Sequence, residues 1–193
     1  SPATHRIPLA AGRFPGIRGA MLRKAPFPQT APSGWWTTQG FAIGLVLLSL
    51  VPLLLPTMPP LIDLPGHIGR YRVQLDLGTS DHLWHYFDFR WAVMGNLGVD
   101  LLVEALAPLL GLEPAVKLVV LSIPATTVFG LLLIAREVHG RVPPTAIFAL
   151  PLAYCFPVQF GFVNFALSMA WALAAFGLWL RLARLGRLRL RAV

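Results

Sequence analysis

A run of 39 consecutive residues, 142–180, has no charged side chain and limits this chain to few possible folds. As a single α-helix this run would be about 58 Å long, roughly twice the thickness of the hydrocarbon core of a bilayer. It must therefore fold back on itself. Pro157, Gln159, Gly161 and Asn164 cluster near its middle, where such residues favour a turn. We therefore predict two membrane spans here, 143–157 and 162–181.

Two more spans are predicted upstream, at residues 38–57 and 116–135. Within the second of these, residues 118–135 form an uncharged run of 18 residues. Of the 193 residues in the chain, 56% are hydrophobic and only 12% are charged, about half the charged fraction that is usual for a soluble domain. The sequence thus predicts an all-α fold, a polytopic transmembrane bundle of four spans over residues 38–181.

Basic residues orient this bundle. The chain has 16 Lys and Arg against 8 Asp and Glu, and the basic residues lie at the ends of the apolar runs. That placement is typical of membrane topology, so we expect no nucleic-acid partner. The positive-inside tendency places three basic segments in the cytoplasm: a leader at 1–37, predicted to be disordered, the turn at 136–141 and the tail at 182–193. Residues 58–115 then form a large external loop, and the bacterial inner membrane is the predicted location.

Residues 92–112 admit two interpretations. They are apolar enough to cross the bilayer, but Asn96, Asp100 and Glu104 recur every four residues and form a polar stripe on one helix face. If this helix crossed, the turn at 136–141 and the tail would both lie outside, against the positive-inside tendency. We therefore predict a helix that lies flat in the interface, with Asp100 and Glu104 facing water.

A possible chemical site follows the first span, in the segment PPLIDLPGHIGRYRVQLDLG. Pro65 suits the first turn of a helix and Asp63 its N-cap, which places His67, Arg70 and Gln74 on one face. A carboxylate can accept a proton from a hydroxyl group, and a guanidinium can bind phosphate. Alternatively, Asp63 only caps the helix and the other side chains form a solvated face.

The order of these features resembles that of the GT-C superfamily of membrane glycosyltransferases, which take a sugar from a lipid-phosphate carrier. IDLPGHIGRY is similar to a stretch of uncharacterised bacterial members, and the resemblance gives Asp63 the place of the catalytic loop acid. The resemblance also matches NLGVDLLVEALAPLLG to juxtamembrane helices. FVNFAL falls where some members carry a second acid, but here the residue is Asn164. On this reading Asp63 is the catalytic base, and His67 and Arg70 bind the phosphate of a polyprenyl-phosphate sugar donor.

We predict neither a metal nor another cofactor. His82 and His85 have the spacing His-x-x-His, but the Glu of a zincin motif is missing, and the chain has one cysteine, Cys155. Membrane lipids are the other expected partners. Since GT-C enzymes have more spans than the predicted four, the chain is expected to be the N-terminal part of a longer protein. The alternatives are a transporter or lipid translocase, or an inactive membrane-embedded fragment.

Overall fold

The computed structural model describes residues 34–95 and 97–186, and every regular element within those ranges is helical. The predicted all-α class is confirmed. Most of the predicted leader and most of the predicted tail lie outside the described residues. The helices are α1 Gln39–Leu48, α2 Val51–Leu54, α3 Leu64–Asp76, α4 Leu83–Tyr86, α5 Gly98–Leu110, α6 Leu112–His139, α7 Ala149–Ala153, α8 Phe156–Phe160 and α9 Val163–Arg184.

Helix α6 is the centre of the bundle, and α1, α3, α5, α7 and α9 all pack against it. Its closest partner is α9, and the two helices touch at Gly130. A Cβ atom at Gly130 would lie 2.8 Å from the backbone nitrogen of Ala174, so only glycine allows this approach. By length and composition, α6 and α9 are the two described helices that could each cross a membrane.

The first predicted span, 38–57, is helical but broken. Thr38 caps α1 by accepting a hydrogen bond from the backbone N–H of Phe41 at 3.2 Å. The helix is interrupted after Leu48 and resumes as α2 at Val51, next to Pro52, which has no N–H to donate to the carbonyl of Leu48. The hydroxyl of Tyr154 donates to the carbonyl of Ser49 at this break. Gln39–Leu54 is therefore a short apolar segment rather than one straight helix.

The third predicted span, 143–157, is not one continuous helix. It consists of a 3-10 turn at Pro144–Phe148, then α7, and then α8, which extends past the predicted end. Pro157 at the start of α8 cannot donate a backbone hydrogen bond to the preceding turn. The predicted reversal is present and falls at Gly161, whose φ of 87° lies in the left-handed region that favours glycine. The fourth predicted span, 162–181, corresponds to α9.

Two apolar clusters hold the helices together. One joins α3, α5, α6 and α9 through fully buried side chains such as Leu64, Val103 and Ile123. The other joins α1, α6 and α7 through Leu45, Val128 and Ala149. The first cluster fixes the predicted external loop onto the long helices, and it is this packing that positions the candidate site.

Candidate functional site

The start of α3 is anchored to the turn between the third and fourth predicted spans. The backbone N–H of Asp63 donates to the carbonyl of Phe160 at 2.8 Å, and that of Ile62 donates to Gln159 at 3.3 Å. A Cβ atom at Gly161 would lie 3.0 Å from the nitrogen of Asp63, so the glycine also makes room for this contact. The backbone of Asp63 is thus held in place by residues almost 100 positions further along the chain.

Asp63 occupies the predicted N-cap position of α3, but its side chain does not cap the helix. Its backbone is helical, with φ −86° and ψ −7°, and the carboxylate accepts no hydrogen bond from the first turn. A capping residue normally has an extended backbone, which aims its side chain at those N–H groups. The Asp63 side chain is exposed. Its carboxylate is therefore accessible, on a backbone that is held by the hydrogen bond to Phe160.

His67 lies one helical turn further on and is half-buried. Its ring stacks on that of Tyr71, with the ring centroids 6.0 Å apart and an interplanar angle of 20°. Burial lowers the pKa of His67 below its usual value, and the positive charge of Arg70 lowers it further, while Asp63 and Asp100 act in the opposite direction. The neutral imidazole is thus favoured at neutral pH. Asp63 and Arg70 therefore both act on the charge of His67, in opposite directions.

Arg70 forms an ion pair with Asp100 of α5, with 2.5 Å between Nη1 and Oδ1. The Asp100 side chain is only 1% exposed, whereas that of Arg70 is 43% exposed. The hydrogen bond to Asp100 raises the pKa of Arg70, which keeps the guanidinium charged. The prediction that Asp100 faces water is wrong. α3 packs over that face of α5, and Arg70 supplies the opposite charge that lets a carboxylate be buried there.

Glu104, the next member of the predicted polar stripe, is exposed as predicted. It accepts a hydrogen bond from Nε2 of Gln74 at 2.7 Å, and the same amide lies 3.3 Å from the carbonyl of Asp100. Gln74 therefore belongs to the face that carries His67 and Arg70, and that face points towards α5. Asn96, the first member of the stripe, lies outside the described residues.

Three buried polar atoms near this contact have no hydrogen-bond partner among the described residues: Tyr71 Oη, Gln74 Oε1 and Asp100 Oδ2. Burial raises the pKa of the Tyr71 phenol to about 12, and the charge of Asp100 contributes to that rise. An unpaired buried polar group typically costs about 1–3 kcal/mol. Tyr71 and Asp100 were not among the predicted site residues, because an aromatic residue in a loop and an acid in a stripe both resemble surface features.

Asn164 sits on α9, where the resemblance would have put a second acid. Its Oδ1 accepts a hydrogen bond from the backbone N–H of Val99 at 2.9 Å. This N–H belongs to the first turn of α5, which otherwise has no partner for it. Asn164 therefore holds the start of α5 against α9 through the hydrogen bond that its amide oxygen accepts.

The two other histidines of the loop stand apart from this face. His82 precedes α4 and His85 lies within it, and both are exposed. In the described ranges, no group of three or more His, Cys, Asp or Glu side chains comes close enough to hold a metal ion.

No protein family, curated protein or solved structure matches this chain.

Proposed function

We propose that the chain is an integral protein of the bacterial inner membrane with four spans and both ends in the cytoplasm. The apolar helices support this proposal. In their most apolar stretches, only 44% of α6 and 28% of α9 is buried within the protein, whereas the core helix of a soluble protein is mostly buried. Large side chains such as Phe165, Met169 and Phe176 project outward from α9. A lipid environment accommodates such a surface and water does not.

The two shorter apolar segments complete the four spans. Gln39–Leu54 and Pro144–Phe160 would each be about 24–26 Å long as helices, slightly less than the hydrocarbon core. Trp35 and Trp36 precede the first segment, and indole rings favour the headgroup zone just outside the core. Lys117 donates to the carbonyls of Leu54 and Pro56 at 2.9 and 2.7 Å, which satisfies backbone groups where the first segment ends.

On the external face, the function that fits best is transfer of a sugar from a polyprenyl-phosphate donor, in an enzyme of the GT-C type. The observation that carries this proposal is Asp63: an exposed carboxylate that makes no capping hydrogen bond, on an anchored backbone, one helical turn before His67. A residue that merely caps a helix would use its carboxylate in the cap. Asp63 is instead free to work as a base.

In the proposed reaction, Asp63 takes the proton from an acceptor hydroxyl group while the oxygen of that hydroxyl group bonds to the anomeric carbon of the sugar. The bond between that carbon and the phosphate oxygen breaks, and the polyprenyl phosphate leaves with the electron pair. Arg70 and His67 bind the phosphate and stabilise the charge that develops there. A guanidinium has about five N–H donors, so the ion pair with Asp100 leaves donors for the phosphate. Asp100 acts as a positioning residue that holds Arg70.

The first prediction tests Asp63 directly. Asp63→Asn preserves size and removes the ability to take a proton, and because no capping hydrogen bond is present, folding should be unaffected. Loss of a general base typically costs about 10² to 10⁴ in rate. Membranes that contain the native protein or the variant at equal abundance would be assayed for sugar transfer from labelled polyprenyl-phosphate sugars.

Asp81→Asn is the matched control, because Asp81 is an exposed carboxylate in the same loop. The control should retain full transfer while Asp63→Asn loses it. Normal transfer by Asp63→Asn would remove Asp63 from the reaction and would contradict the proposed function.

A further inference from the structure

Tyr71 is a buried aromatic side chain in the second half of α3, and the reaction proposed above assigns it no task. Its relative exposure is 0%, and it belongs to the apolar cluster that joins α3 to α5, α6 and α9. His67 lies one helical turn before it and Arg70 immediately before it. A side chain enclosed in a close-packed interior keeps one conformation, so groups that rest on it are held in place too.

Both side chains that are proposed to bind phosphate contact the ring of Tyr71. The imidazole of His67 is stacked on it, with 6.0 Å between the ring centroids and 20° between the ring planes. The guanidinium of Arg70 lies over it, with Cζ 5.0 Å from the ring centroid. A cation within about 6 Å of an aromatic centroid is attracted to the face of the ring. One ring therefore supports both proposed phosphate-binding groups.

The ion pair with Asp100 leaves Arg70 in need of a second support. The pair uses one nitrogen, Nη1, and the Arg70 side chain is 43% exposed. A single contact gives a guanidinium less geometric control than a bidentate one. The Tyr71 ring supplies a second point of contact, whereas Oη of Tyr71 has no hydrogen-bond partner among the described residues. The support therefore comes from the ring, and a phenylalanine ring should provide it equally well.

We infer that Tyr71 is a positioning residue, whose buried ring holds His67 and Arg70 in the arrangement that binds the donor phosphate. The inference rests on the phosphate site of the proposed function but not on the transfer step itself. Ordering a flexible side chain at the moment of binding weakens affinity by about 2- to 10-fold. A ring that orders two side chains beforehand avoids this loss for both of them.

The test is native mass spectrometry of the full chain in a neutral detergent, titrated with a short-chain polyprenyl phosphate or with the corresponding polyprenol. The native protein should bind the phosphate at least about tenfold more tightly, because Arg70 can form charge-assisted hydrogen bonds only with the phosphate. Tyr71→Leu should reduce this preference by roughly 5- to 10-fold. Tyr71→Phe should keep it, since the ring remains.

The matched control is Ile123→Ala, because Ile123 is buried in the same apolar cluster but lies on α6. It should lower the melting temperature and leave the preference for phosphate unchanged, which separates a positioning role from a loss of stability. Melting temperatures without ligand would show that each variant folds. If Tyr71→Leu does not fold, Tyr71→Met takes its place, since the unbranched methionine side chain adapts to irregular space.

A second measurement needs no ligand. Burial is the largest influence that lowers the pKa of His67, and the stacked Tyr71 ring covers part of the imidazole. Histidine NMR spectra recorded over a range of pH, with His67 assigned from the His67→Gln variant, give this pKa directly. It should rise towards 6.5 in Tyr71→Leu and stay at its native value in Tyr71→Phe and in Ile123→Ala.

The outcomes separate this inference from the proposed function. A native preference for phosphate that survives in Tyr71→Leu, or is lost equally in Ile123→Ala, would overturn the positioning role and leave the phosphate site intact. An unchanged pKa of His67 in Tyr71→Leu would overturn it as well. Equal binding of phosphate and polyprenol by the native protein would overturn both. A preference that depends on Tyr71 in a protein that transfers no sugar would support the positioning role and contradict the proposed transfer.

Discussion

At the scale of single residues, the ion pair between Arg70 and Asp100 joins the site helix α3 to α5. Its two partners are not equivalent, because Asp100 is buried and Arg70 is 43% exposed. Without Arg70, a carboxylate would be left in the interior without its partner. Without the Asp100 charge, Arg70 could turn towards water. Removing Arg70 should therefore destabilise the protein more than neutralising Asp100, a difference that a surface ion pair would not show.

Arg70→Gln should lower the free energy of unfolding by about 2–3 kcal/mol, and Asp100→Asn by about 1 kcal/mol. Arg72→Gln is the control, because the Arg72–Asp76 pair is on the same helix but both side chains are exposed, and its loss should cost less than about 0.5 kcal/mol. Thermal unfolding of the purified variants in detergent measures all three. Equal losses for Arg70→Gln and Arg72→Gln would show that α3 does not pack on α5 in this way.

His67 predicts a pH dependence of stability. Its pKa is lowered by burial below the usual value of 6.5, so as the pH falls the unfolded chain takes up a proton before the folded chain does. The free energy of unfolding should therefore decrease as the pH falls below about 6.5, and become constant once the folded-state imidazole is protonated too. His67→Gln should lack this decrease. Melting temperatures from about pH 5 to 7.5 would reveal it, and parallel curves for native protein and variant would refute it.

The periodicity of a helix is local, so the sequence alone predicts that His67, Arg70 and Gln74 share one face of α3. It was not sufficient to identify the partner of Arg70. That partner, Asp100, lies 30 positions away, and it is buried because α3 packs on α5. The spacing of Asp100 and Glu104 predicts a polar stripe, but it does not distinguish a face that meets water from one that meets another helix.

At the scale of helices, the contact between α6 and α9 sets the spacing of the bundle. Gly130 lets the two backbones approach, and a Cβ atom there would lie 2.9 Å from the carbonyl carbon of Leu173. A backbone atom cannot rotate away as a side chain can. The helices would have to separate to admit one methyl group.

Gly130→Ala should therefore destabilise the protein by about 1–3 kcal/mol. Gly44→Ala is the matched control on α1, where a Cβ atom would meet nothing within 4 Å. Alanine is the better helix former, so the control should be neutral or stabilising by up to about 1 kcal/mol. Thermal unfolding in detergent compares the two, and equal stability would contradict the described packing of α6 on α9.

The helices could be predicted where an uncharged run is long, as in α6 and α9. The breaks in the other two apolar segments could not be predicted, because the presence of a proline does not by itself determine whether a helix is interrupted. Pro124 lies inside α6 without interrupting it, whereas the helix breaks close to Pro52. At that break, the carbonyl of Ser49 finds a donor in the distant Tyr154. Tyr154 reaches this carbonyl only because the tertiary fold brings the two residues together, and the sequence around Ser49 does not show that contact.

Across the protein as a whole, the proposed topology puts two faces on opposite sides of a membrane. Asp63 follows α2, at the end of the first apolar segment that is distant from the start of α1. The proposed sugar transfer depends on this arrangement. The orientation of the protein in the membrane is predicted from its basic segments, which the positive-inside tendency assigns to the cytoplasm.

Fusions of alkaline phosphatase, which is active only outside the cytoplasm, measure this arrangement most directly. A fusion after Thr79, which follows α3, should be active if α3 lies outside the cytoplasm as proposed. Fusions after Arg141 and after Arg191 should be inactive. Activity after Arg141 would mean that the region of α5 crosses the bilayer, and inactivity after Thr79 would place Asp63 in the cytoplasm. Either result would contradict the four-span account and the external site that depends on it.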